Sequence, residues 1–179
     1  MGRAKWAEPD ASCFMVRGPQ YLSDKLKMPA ARPEFRCVAV DLFQNETDEP
    51  YFNIATHPHN RVAQALARGS TAWTFVLSLH IPGPPFFTFV HYFALEGGCG
   101  AHEGGAAEFF ARDAPFARTA RPFLFGDDDA LRDNTFKLIP KCVEANFIVK
   151  RAVGGTPAIL GKKLKQTYYR ADHYFEVGS

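Results

Sequence analysis

The sequence predicts an α+β fold: a single domain with a mainly antiparallel, curved sheet and a few short helices. Three observations lead there. Runs rich in Val, Ile and aromatic residues outnumber stretches of helical period. The links between those runs are too short for parallel crossovers. Seventeen phenylalanines in 179 residues ask for a bulky core or an apolar cavity, because Phe fills volume without needing a hydrogen-bond partner. A chain of this length fits one domain and buries about two-thirds of its unfolded surface.

Taken in order, residues 1–12 read as a flexible tail and 13–179 as the domain. Cys13 to Gly18 is a short apolar run stopped by Gly18 and Pro19, and residues 20–34 show no period and read as loop. Phe35 to Phe43 has the Val and aromatic content of a strand, and a polar turn follows. His59 to Gly69 predicts a helix: Asn60 can cap it, Val62, Ala65 and Leu66 form a stripe, and Gly69 can end it.

Ala72 to Ile81 and Phe86 to Leu95 predict a hairpin around Pro82-Gly83-Pro84-Pro85. Pairing Ile81 with Phe86 puts Trp73, Phe75, Leu77 and Leu79 on one face beside Thr88, Val90, Tyr92 and Ala94. The other face then holds Thr74, Val76, Ser78 and His80 beside Phe87, Phe89, His91 and Phe93. Neither face is plainly solvated, so both sides are covered, or one lines a cavity with polar anchors. Residues 96–108 are Gly-rich, with room only for a short helix. Gly126 to Asn134 reads as one helical turn with acids at its positive end. Asn146 to Val153 and His173 to Val177 read as strands.

Charge is segregated. Phe136 to Ser179 carries eight basic residues against three acidic, a net +5 on a chain of +2. A basic lobe favours an anionic partner such as a lipid headgroup, a phosphate or an acidic protein surface. Nucleic acid is not expected: the pI of 8.4 is modest and no aromatic-basic recognition motif is present. Cys13, Cys37, Cys99 and Cys142 offer no CxxC clamp, and no metal or cofactor is expected. The N-terminus lacks the apolar core of a secretory signal, Trp6 stands where a myristoylation motif wants Ser or Thr, and no run reaches the roughly 18 apolar residues of a membrane span. The expectation is a reduced, cytoplasmic, soluble protein, attached to membranes peripherally if at all.

One series of motifs extends across the chain. It begins with Phe14-Met15-Val16-Arg17-Gly18, Tyr21-Leu22, Asp24 and Lys27, then Val40-Asp41-Leu42-Phe43 and Ile81-Pro82-Gly83. Gly126-Asp127-Asp128 leads to Phe136-Lys137-Leu138-Ile139-Pro140. Ile148-Val149-Lys150, Ala152-Val153-Gly154 and Pro157-Ala158 follow, then Gly161-Lys162-Lys163-Leu164, Tyr168-Tyr169 and Tyr174-Phe175-Glu176-Val177. In this order the motifs resemble the C-terminal domain family of the plant protein Enhanced Disease Resistance 2, over residues 13–177, in its lone-domain form. The resemblance implies the company of lipid-binding modules, a pleckstrin-homology and a sterol-transfer-type domain in the plant relatives, and it offers no catalytic motif. Family members continue past the equivalent of Glu176-Val177 with an acidic strand, a helix and a closing segment, so the domain is expected to lack its last elements.

The residues therefore predict a non-catalytic binder of a lipid or other small hydrophobic ligand, working at an anionic cytoplasmic membrane surface. Val76, Ser78, His80, Phe87, Phe89, His91 and Phe93 are the candidate ligand contacts, with Trp73 as a further wall residue. Arg17, Lys137, Lys150, Lys162 and Lys163 are candidates for an anionic headgroup, and Gly161 would let backbone donors approach it. A solvated basic face is the plainer alternative. An enzyme would need His80 or His91 as acid or base, although the expected register sets them about 13 Å apart. A protein-interaction module is the third reading. His57-Pro58-His59, Asp127-Asp128-Asp129 and Cys99 beside His102 are weaker signals, better read as a surface turn, a helix start and an ordinary loop.

Overall fold

A computed structural model of the chain describes residues 6–70, 72–95, 105–139 and 158–179. The chain opens with a small ribbon: β1 (Met15–Arg17) pairs antiparallel with β2 (Lys27–Pro29), and α1 (Tyr21–Asp24) lies between them. The predicted loop over 20–34 thus contains two elements, each too short to carry a period. Glu8, inside the stretch read as a tail, accepts the Cys37 backbone N–H at 2.9 Å.

The main sheet has five strands in the order β3 (Phe35–Asn45), β5 (Phe86–Leu95), β4 (Thr74–Ile81), β9 (Tyr174–Gly178), β8 (Thr167–Ala171). Three of its pairings are antiparallel, as predicted. The fourth, β4 with β9, is parallel. Some 90 residues separate those two strands, room for the long crossover a parallel pair needs. A bulge at Cys37 and Ala39 shifts the β3–β5 register and sharpens the local twist.

Helices cover both sides of this sheet. On one side lies α2 (Arg61–Ala67), preceded by a 3-10 turn at Ile54–Thr56. Asn60 caps α2 by accepting the Val62 N–H at 2.8 Å, and Gly69 leaves it in the left-handed region. On the other side lie α3 (Gly105–Ala111), α4 (Pro115–Phe125) and α5 (Asp129–Thr135). The short strands β6 (Lys137–Leu138) and β7 (Ala158–Ile159) pair beside them.

The hairpin forms, but one residue out of the expected register: Ile81 pairs with Phe87, not Phe86. Because side chains alternate, the slip moves a whole strand to the other face. Phe75, Leu77, Leu79, Phe89, His91 and Phe93 now share the α3–α5 side, with Phe175 and Val177 of β9. Val76, Ser78, His80, Thr88, Val90 and Tyr92 share the α2 side, with Tyr174 and Glu176. This register gathers the rings on one side and leaves smaller and polar groups on the other, so each side packs a matched cluster. Asn146 to Val153, predicted as a strand, lies outside the described residues.

Two contacts fasten the helical layer. Arg132 is buried: its guanidinium donates to the Phe123 carbonyl at 2.8 Å, to the Gly126 carbonyl and to Asp129, and it lies 5.0 Å from the Phe175 ring centroid. Gly161 sits against α5 so closely that a Cβ there would lie 2.4 Å from Asp133 Cα.

Candidate functional site

Between the sheet and α4 lies a cavity of about 470 Å³. Its floor is Phe75 and Leu77 of β4 and Phe93 of β5. Phe116, Ala120, Phe123 and Leu124 of α4 roof it, and Phe136 and Leu138 close one end. Glu34, Thr119, Thr135 and Lys137 supply the polar groups of the lining, and Lys137 is solvent-exposed. The walls can take apolar matter by shape and dispersion, with one cation and one carboxylate near the opening to orient it.

The α4 roof went unpredicted. Its stripe of Ala117, Ala120 and Leu124 has helical spacing, and Pro115 sits in its first turn. Pro122 inside the helix masks that signal, since an interior proline usually breaks one.

Of the predicted contacts, Phe93 lines the cavity. Phe89 and His91 continue from it along the same face, with ring centroids 4.2 Å apart for Phe89–His91 and 6.1 Å for His91–Phe93. Phe87 follows on that face opposite Ile81. Trp73, expected opposite Phe93, packs on its side of the sheet against Phe35 and Phe110.

Val76, Ser78 and His80 are on the other side of the sheet, because the register puts them there, and do not face this cavity. Val76 and Ser78 are buried, and His80 Nε2 pairs with Asp48 at 2.8 Å. His80 and His91 therefore cannot act on one substrate atom in the cavity. Burial pushes the His91 imidazole below its ordinary value, partly offset by a backbone hydrogen bond with Leu77. Its Nδ1 is buried without a partner among the described residues.

The basic candidates are not one cluster. Lys137 is at the cavity. It pairs with Ile159, which leads into the 3-10 turn Leu160–Lys162 and so to the exposed Lys162 and Lys163. Gly161, expected to admit a ligand, instead admits α5. Arg17 belongs to the separate β1–β2 ribbon and stacks on Tyr21 at 4.7 Å. Lys150, Cys99 and His102 lie outside the described residues. The three aspartates are all engaged: Asp128 caps α5, Asp129 pairs with Arg132 and Asp127 with Arg170. Among the described residues no three His, Cys, Asp or Glu side chains gather as a metal site, and no helix is long and apolar enough to cross a membrane.

The α2 side holds a polar network instead. The buried Glu176 carboxylate accepts the Ile54 and Ala55 N–H groups, both at 2.9 Å. Burial pushes its carboxyl up, and those two donors oppose the shift. Asn60 Nδ2 donates to Tyr92 Oη at 2.7 Å, Tyr174 Oη donates to Asn53 Oδ1 at 2.8 Å, and Asn45 and Thr88 exchange hydrogen bonds. Arg61 forks onto Asp41 at 2.6 and 2.7 Å.

A family model described as Protein ENHANCED DISEASE RESISTANCE 2, C-terminal, matches residues 6–179. The chain is also similar to a protein of Arabidopsis thaliana described as Protein ENHANCED DISEASE RESISTANCE 2-like, at 30% identity over 172 residues. That alignment covers 96% of this chain and 21% of the relative, so the chain spans about a fifth of the relative's length. No solved structure matches the chain.

Proposed function

The chain belongs to the Enhanced Disease Resistance 2 C-terminal family, and within it we propose a non-catalytic domain that binds a lipid-like hydrophobic ligand at a cytoplasmic, anionic membrane surface. The observation that carries this reading is the ring-walled cavity of about 470 Å³ between the sheet and α4. Its size falls within the roughly 300–1,000 Å³ of small-molecule sites. Lys137 sits where it can meet an anionic end of such a ligand.

The reading predicts that purified protein carries a hydrophobe detectable by native mass spectrometry and organic extraction, and that a fluorescent fatty acid binds saturably. Ala120→Leu, which intrudes into the roof, weakens that binding about tenfold. Protein that is empty as purified, and that shows no saturable binding in the titration, overturns it.

A further inference from the structure

We propose that the tip of the β1–α1–β2 ribbon is the element that enters the membrane, as a rigid leucine-bearing loop flanked by cations that docks on an anionic lipid bilayer. This rests on the membrane part of the reading above and is independent of the cavity and its ligand.

The most exposed large apolar side chains of the described residues are at this tip: Leu22 is 83% and Leu26 66% exposed. Met15, Val16 and Met28 behind them are exposed as well. Such a concentration is costly in water and marks a contact surface. The loop holds these leucines out firmly. Gly18 N–H donates to the Leu26 carbonyl at 3.1 Å and closes it, and Lys25 takes the left-handed conformation that ends α1. Asp24 Oδ1 accepts the Leu26 N–H at 2.8 Å, and Lys25 Nζ donates to the Leu22 carbonyl at 2.7 Å. Ser23 Oγ donates to the Gln20 carbonyl at 2.8 Å.

Two arguments select a bilayer as the occupant. The first is charge complementarity. Arg17, Lys25 and Lys27 border the leucines, and the one acid in the loop, Asp24, is turned inward onto Leu26 N–H. Apolar insertion combined with basic residues is the chemistry of attachment to anionic lipid. The second is shape and satisfaction. The loop is a projection, which a fluid interface accepts without a complementary surface. Its polar groups are spent within the loop, so entry into the interfacial region leaves few of them unpaired.

The test is co-sedimentation of the whole chain with phosphatidylcholine vesicles, with and without phosphatidylserine. Wild type binds the phosphatidylserine vesicles and is released by salt. Leu22→Ser with Leu26→Ser lowers partitioning at least about tenfold, and Lys25→Gln with Lys27→Gln lowers it similarly on phosphatidylserine vesicles only. Neither pair changes the melting temperature or the fatty-acid titration, since all four side chains are exposed. If wild type ignores the vesicles, the membrane reading falls and this inference with it, whereas the cavity reading stands. If wild type binds and the leucine pair binds equally well, the tip is the wrong element. Leucine-dependent self-association in sedimentation without lipid would assign the tip to a second copy of the chain and also overturn the proposal.

Discussion

The two sides of the sheet are built from opposite chemistries. On the α3–α5 side, rings meet rings: Phe75 stacks on Phe175 and Phe123 on Phe136, with centroids 6.2 and 5.8 Å apart. Beside them the packing leaves an open cavity. On the α2 side, the sheet meets its cover through Glu176, Asn60, Tyr92 and Tyr174, each hydrogen-bonded. Rings pack acceptably at many angles, so that side can leave space for a guest. Directed hydrogen bonds hold one arrangement, so the α2 side keeps the register while the other side binds.

The largest expected effect breaks the polar side. Glu176→Ala strands the Ile54 and Ala55 N–H groups and costs about 2–5 kcal/mol, read by urea unfolding. A loss below about 1 kcal/mol would mean that the carboxylate does not organise that side. The pH dependence has a definite sign. Burial raises the Glu176 carboxyl in the folded state, so the native protein holds this proton at pH values where the unfolded chain has released it. Stability from this group is full below the ordinary carboxylate value and is lost as pH rises through the raised one. The stability of wild type relative to Glu176→Gln should therefore shrink with rising pH through that window and level off above it.

A paired substitution sharpens the comparison at intermediate size. Ala55 and Ala120 are both buried, one on each side. Ala55→Leu overpacks a filled site and costs about 1–3 kcal/mol, whereas Ala120→Leu extends into open volume and costs under about 1 kcal/mol. Equal costs would contradict the contrast in packing. The smallest effect tests one member of the network: Tyr92→Phe removes the hydroxyl that Asn60 donates to and costs about 1 kcal/mol by thermal unfolding.

Much of the fold was legible because local chemistry marks it. Asn60 and Asp128 announced two helix starts and both cap as expected. The apolar runs at Phe35, Ala72 and Phe86 announced three strands. Helix α4 was hidden by Pro122, and β8 by a run of only five residues. The site was legible in one residue, Phe93. Phe123 and Phe136 are brought to it by the helical layer, and no local pattern links them to the hairpin. Gly161 was legible as a special position, but its partner, Asp133, lies 28 positions earlier in the chain and is visible only in the packing.

By itself the sequence determined where most elements start and stop, the α+β class, and an excess of rings that had to surround something. Only the tertiary structure decided which rings those were. Both faces of the β4–β5 hairpin are apolar, so no local pattern separates one register from the next, and a shift of one residue exchanges the faces of a whole strand. The choice fell to partners remote in sequence: Phe175 and α4 on one side, Ile54 and α2 on the other.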